Sequence, residues 1–311
     1  MNFTSEILHH AAAMAKSIEA DALIVYADVF SSLRDIDSFL DETAGFPVYL
    51  AARGESHEGS EATRANIIRV PGIRLTRLGQ IKIAVLLGFS RGHFVKGNRL
   101  VCLSGIAGSG RLDTLVIMEV GDEFEMFAAT GTPEVASNIN PEVFERVLDI
   151  ATTLGYEGRE GKAVGTTFVI GDVNRVLEFS HQMVLNPFRG YPEEERNILD
   201  PALEETVKEF AAIDGAFVIH PDGQIEAAGI YLKPETGSEA LPRGLGTRHQ
   251  SAAGITAISS AIAITVSEST GTVTVFRDGK ILIELERPRP IGPWTPQEAQ
   301  AFPGLRERET L

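Results

Sequence analysis

Cysteine is almost missing from this chain: 311 residues contain one, Cys102. A lone cysteine closes no internal disulfide, which excludes a disulfide-built secreted scaffold. The seven histidines form no His-Glu-x-x-His pattern, and no cysteine pair exists. The common zinc arrangements are therefore absent. Gly88-Phe-Ser-Arg-Gly92 has the Gly-x-Ser-x-Gly spacing, but it ends an expected helix and does not turn a strand into one, so it is no acyl-transfer elbow. Gly158-Arg-Glu-Gly-Lys162 lacks the spacing and the trailing Ser/Thr of a phosphate-binding Walker loop. No apolar run approaches the ~20 residues that span a bilayer. The N-terminal MNFTSEILHHAAAMAKSIEA has no basic stretch before an apolar core. It reads as an amphipathic helix and not as a signal peptide. These absences predict a soluble, cytoplasmic protein with no membrane partner.

Acidic residues are missing locally. From Ala62 to Leu112 there is no Asp or Glu, but there are nine basic residues: Arg64, Arg69, Arg74, Arg77, Lys82, Arg91, Lys96, Arg99 and Arg111. The whole chain is nevertheless acidic, with a net charge of −15. A solvated basic face docked on the acidic remainder accounts for this segment, and an anion-binding regulatory site is the sharper alternative. Only two aromatics, Phe89 and Phe94, fall among the basic residues, so no nucleic-acid partner is expected.

What is present is an α/β pattern in two parts. Helices are expected over Ser5–Ala20, Ser32–Glu42 and Leu75–Phe89. Strands are expected at Ala22–Ala27, Phe46–Ala51, Leu100–Ser104 and Leu115–Val120. That order predicts a small α/β layer with a largely parallel sheet over residues 1–125. Gly105-Ile-Ala-Gly-Ser-Gly110 resembles a phosphate loop, but a strand follows it where a dinucleotide fingerprint needs a helix. It reads as a tight turn. This first part resembles the C-terminal domain of pyruvate kinases in its strand–helix order and its final LDTLVIMEV strand.

A second α/β part is expected over 126–287. Asn140 and Pro141 open a helix running to about Leu154, as N-cap and first-turn proline. Thr166–Ile170 is a buried strand. A helix covers Leu203–Ala212. Ala216–His220 and Ile225–Leu232 form a hairpin around Pro221-Asp-Gly223, and another hairpin turns at Arg277-Asp-Gly279. A helix follows His249. Residues 288–311 read as a proline-rich tail; Arg287 to Leu311 holds five prolines in 25 residues.

Three segments could carry chemistry. Asp214-Gly215-Ala216 puts a carboxylate at the mouth of an apolar strand, with small neighbours beside which a large ligand could approach. Gly244-Leu-Gly-Thr-Arg-His-Gln250 combines two glycines, a threonine able to cap the next helix, and two cationic donors; free amides at a helix start attract anions. Val266-Ser-Glu-Ser-Thr-Gly271 offers a hydroxyl for a phosphate and a carboxylate for a divalent cation. Each alone also fits an ordinary turn. Together they point to a nucleoside triphosphate site, where carboxylate-held Mg²⁺ or Mn²⁺ offsets substrate charge.

Asp214-Gly-Ala216, Gly246-Thr-Arg-His249 and Val266-Ser-Glu268 with Thr-Gly271 resemble the signature blocks of diadenylate cyclases. Gly158–Gly171, Asn186-Pro-Phe-Arg-Gly190 and Ile225–Leu232 match as well. A pyruvate-kinase-like domain ahead of the cyclase domain is similar to the archaeal-type branch. The resemblance implies a mixed central sheet flanked by helices and condensation of two ATP into cyclic di-AMP and two pyrophosphates. It implies Mn²⁺ or Mg²⁺ as cofactor and a homo-oligomer with face-to-face cyclase domains. By the same resemblance, Asp214 assists the attacking ribose 3′-hydroxyl or holds metal. Gly246, Thr247, Arg248 and His249 bind the triphosphate, Ser267 a phosphate, and Glu268 metal. Gly215, Ala216, Gly229, Tyr231 and Leu232 line the adenine site. Two positions depart from the pattern. Gln250 replaces the last residue of Arg-His-Arg and loses a permanent charge. Ser269 replaces the second acid of Ser-Glu-Glu and removes a possible metal ligand. A catalytically silent nucleotide-binding regulator is the alternative that these departures leave open.

Overall fold

The computed structural model describes residues 3–30, 39–41, 43, 45–53, 66–121, 139–233 and 246–287. The first sheet has five strands: β1 (Ala22–Tyr26), β2 (Val48–Arg53), β3 (Asn66–Val70), β4 (Arg99–Gly105) and β5 (Leu112–Glu119), in the order β3-β2-β1-β4-β5. The β1–β2, β2–β3 and β1–β4 pairs are parallel, and only β4–β5 is antiparallel. The largely parallel layer is thus as expected. Central β1, with sequence Ala-Leu-Ile-Val-Tyr, is buried along its whole length, as a strand covered on both faces must be.

Helix α1 (Phe3–Ser17) places Thr4, Leu8, Ala11 and Ala15 inside, at helical spacing, against β4 and β5. Helix α2 (Arg77–Ser90) starts where Thr76 Oγ1 accepts from the Gly79 amide at 3.0 Å. The Gly105–Gly110 segment turns β4 into β5. Its Gly108 and Gly110 amides donate to the carbonyls of Asp28 and Val29. Strand β3 is not foreseen by the sequence pattern. Most of the helix expected over Ser32–Glu42, and the whole tail 288–311, lie outside the described residues; 39–41 are helical.

The second sheet holds seven strands in the order β12-β11-β10-β6-β8-β9-β7. They are β6 (Thr166–Ile170), β7 (Ser180–Gln182), β8 (Ala216–Ile219), β9 (Ile225–Leu232), β10 (Ile262–Val266), β11 (Val273–Arg277) and β12 (Lys280–Leu285). Only β6–β8 is parallel. Helix α3 (Pro141–Glu157) covers one face of this sheet, with Phe144, Val147, Leu148 and Ala151 on Phe168, Ile170, Ile262 and Ile264. Helix α6 (Thr247–Ala257) covers the other, with Ala252, Ala253 and Ile255 on Val169, Val218 and Ala263. Neighbouring strand residues point to opposite faces, so each run feeds both cores. Phe168 and Phe217 stack at 4.9 Å across β6 and β8. The short α4 (Val173–Glu178) and β7 are further elements that the sequence pattern does not indicate; α5 (Glu204–Phe210) is expected.

The basic segment is partly neutralised by docking, as expected of a basic face set against the acidic remainder. Arg77 pairs with Asp113, and Arg91 reaches across to Glu145 of α3 at 2.5 Å. Lys82 of α2 donates to the Glu284 carbonyl of β12 at 3.4 Å.

Candidate active site

Three elements end at one place: the loop into β8, the start of α6 and the turn after β10. Arg248, in the first turn of α6, joins the other two. Its Nη2 donates to Asp214 Oδ1 at 2.8 Å and its Nη1 to Glu268 Oε2 at 3.1 Å. Guanidinium has the planar, multi-donor shape that such a fork between two carboxylates requires. Asp214 and Glu268 are mostly open to solvent, with 78% and 61% of their side chains exposed, so their pairing with Arg248 can be exchanged for a ligand at little cost.

Gly165, just before β6, makes room for this fork. A Cβ there would collide with Arg248 Nη1 and with Glu268 Cβ.

An open cleft of about 700 Å³ runs beside the fork. Gly246, Thr247, Arg248, His249, Ser267 and Glu268 all line it, as do Ser269 and Glu284. Thr247 does not cap the helix as expected. Gly246 takes the extended N-cap position, and Thr247 is already the first helical residue, so its hydroxyl cannot reach back over the first turn. The helix also begins at Thr247, three residues before the start expected after His249. No side chain caps α6, which leaves its first amides facing the cleft for an anion.

His249 sits deep in the wall, 8% exposed, with its ring against Phe276 and Nε2 3.4 Å from Thr274 Oγ1. Burial pushes the imidazole below its usual pKa; Glu284 opposes that effect and Arg248 adds to it. At neutral pH it is a neutral donor or acceptor, not a fixed charge. Ser267 closes the turn: its amide donates to the Thr272 carbonyl at 2.9 Å, and its hydroxyl lies 3.3 Å from Ser269 Oγ.

The remaining expected residues lie on the β8–β9 side, outside the lining of this cleft. Gly215, at φ +119°, is required for another reason than the ligand approach read from sequence: the backbone of Gly229 crosses so close that a Cβ would strike it. Ala216 and Leu232 point into the core, 2% and 5% exposed. Tyr231 is exposed and packs its ring 4.8 Å from that of His181. The sequence reading did not single out Gly165 or Glu284. Gly165 lies within the Gly158–Gly171 block, which was the available signal; Glu284 looks like any outward residue of a hairpin strand.

A divalent ion suits this donor set. Two carboxylates converge on one cation, Arg248, and Ser267 adds a hydroxyl nearby. Hard oxygen donors of this kind match Mg²⁺ or Mn²⁺, which commonly take one or two protein carboxylates and complete their shell with phosphate oxygens and water. Among the described residues no group of three His, Cys, Asp or Glu side chains could hold a metal without such help.

Residues 153–281 match a family model described as DisA bacterial checkpoint controller nucleotide-binding. The chain is 30% identical to a diadenylate cyclase of Methanocaldococcus jannaschii over 299 residues, covering 90% of this chain and 96% of that one. The chain belongs to the diadenylate cyclase family. A Haloferax volcanii diadenylate cyclase is 34% identical over 195 residues, covering 61% of this chain and 68% of its own. The cyclic di-AMP synthase CdaA of Bacillus subtilis is 43% identical over 72 residues, 23% of this chain and 26% of its own. Residues 4–127 match a second model, described as a probable sensor domain, DacZ_P. That match does not confirm the pyruvate-kinase likeness of the first part. As a member of this family the chain is a nucleotidyltransferase, and among the described residues no helix is long and apolar enough to cross a membrane.

Proposed function

We propose that this diadenylate cyclase family member condenses two ATP molecules into cyclic di-AMP and two pyrophosphates. The observation carrying the proposal is the Asp214–Arg248–Glu268 fork at the mouth of a cleft lined by the uncapped start of α6. The triphosphate lies along the amides of Thr247 and Arg248, with the helix dipole favouring its charge. Arg248 turns from its carboxylates to the phosphates, and Ser267 donates to a phosphate oxygen. Asp214 receives the 3′-hydroxyl proton of the attacking ribose. The oxygen forms a bond to the α-phosphorus of a second ATP, and the bond to pyrophosphate breaks in line. Adenine lies by the β8–β9 hairpin, where Tyr231 offers an exposed ring. Mn²⁺ or Mg²⁺ held by Asp214 and Glu268 would neutralise phosphate charge. Most of the rate gain in such chemistry comes from positioning and charge neutralisation.

Each subunit supplies one cleft, so the two ATP molecules meet only when two copies face each other about a two-fold axis. Residues 1–125 form the accompanying unit, with 126–287 as the cyclase unit and 288–311 as a tail. Mass spectrometry of the protein incubated with ATP, with and without Mn²⁺, tests the reading. Cyclic di-AMP in the Mn²⁺ sample is expected; nucleotide binding without any cyclic product would leave a silent regulator in its place.

A further inference from the structure

Glu284 lines the cleft but has no part in the reaction just described. It stands on β12 opposite Thr274, the residue whose hydroxyl approaches His249. Among the described residues it forms no ion pair. Lys82 of α2 donates to its backbone carbonyl at 3.4 Å, which holds the strand at this residue. An uncompensated carboxylate on the wall of an anion site weakens binding of a bare polyphosphate by like-charge repulsion. The repulsion is smaller when a divalent cation has already neutralised part of the ligand.

We infer that Glu284 is a specificity-determining residue: from β12 it makes the cleft select the divalent-metal complex of a nucleoside triphosphate over the free triphosphate. The inference rests on the cyclase reading and concerns binding, so it is tested without turnover. Calorimetric titration with α,β-methylene ATP, once in EDTA and once in Mn²⁺, gives the ratio of metal-free to metal-bound dissociation constants. Glu284→Gln is expected to reduce that ratio roughly fivefold to tenfold, the scale of one nearby unit charge in partly solvated surroundings. The change should come mainly from tighter metal-free binding. Glu284→Asp, which keeps the charge, should keep the ratio. An unchanged ratio in Glu284→Gln, at an unchanged melting temperature, overturns the inference and leaves the cyclase reading standing. A reduced ratio caused only by weaker Mn²⁺-complex binding also overturns it, since Glu284 would then be a ligand of the ion. A wild-type protein that binds the analogue under neither condition overturns both readings.

Discussion

At the scale of single residues, the site is a small charge network whose members have separable jobs. Asp214 is exposed and, among the described residues, pairs with Arg248 alone, so Asp214→Asn should leave the melting curve near that of the wild type. Cyclic di-AMP formation should fall at least a hundredfold, as loss of a group acting on the reacting oxygen commonly does; product quantification beside a thermal melt checks both. His249 differs because it is buried. Its folded-state pKa lies below the unfolded value of about 6.5. As pH falls, the unfolded chain takes the proton first. The stability from keeping this ring neutral is thus fully present above about pH 6.5 and is lost as pH falls through that value. His249→Gln should flatten the decline of melting temperature between pH 7.5 and 5.5, relative to the wild type. The Asp, Arg and Glu of the fork were legible in sequence because their types and order suit a metal–phosphate site. Gly165 and Glu284 were not, since their importance comes from what folds against them: a guanidinium over one, a helix start and a histidine near the other.

Among elements, those marked by a cap, a turn signal or a β-branched run were readable, and three short ones without such a mark were not. Strand β6 runs over Thr166–Ile170 as its β-branched run indicates, and β9 over Ile225–Leu232 follows its turn signal. Helix α3 begins where Asn140 and Pro141 say it should, with Asn140 Oδ1 accepting from the Glu142 amide at 3.0 Å. Asn140→Ala should cost about 1 kcal/mol by leaving that amide without its partner, measurable as a lower urea midpoint. In contrast, β7 has three residues and α4 six, too few to show a period. Strand β3 alternates its buried residues, Ile68 and Val70, with Ile67 and Arg69, a five-residue signal diluted by the polar stretch before it. At α6 the register error came from Thr247: a threonine beside two glycines reads as a cap, whereas Gly246 takes the extended cap conformation and lets the helix start on the threonine itself.

For the molecule as a whole, the proposed reaction joins two nucleotides, and under that proposal assembly is part of catalysis. Specific activity should fall on dilution below the dimer dissociation constant, tracked by light scattering alongside initial rates; constant activity from a monomer would refute the face-to-face arrangement. The packing of the two sheets has a consequence for handling the protein. Strand β12 is the last of its sheet, and an outermost strand offers unpaired carbonyls and amides to any other chain with an extended segment. Here α2 lies over that border, and a lysine ammonium occupies one of its carbonyls. At the opposite border only the three residues of β7 are on offer. The amino-terminal half therefore acts as a shield against self-adhesion, and a shortened version lacking it would carry a sticky flank into solution.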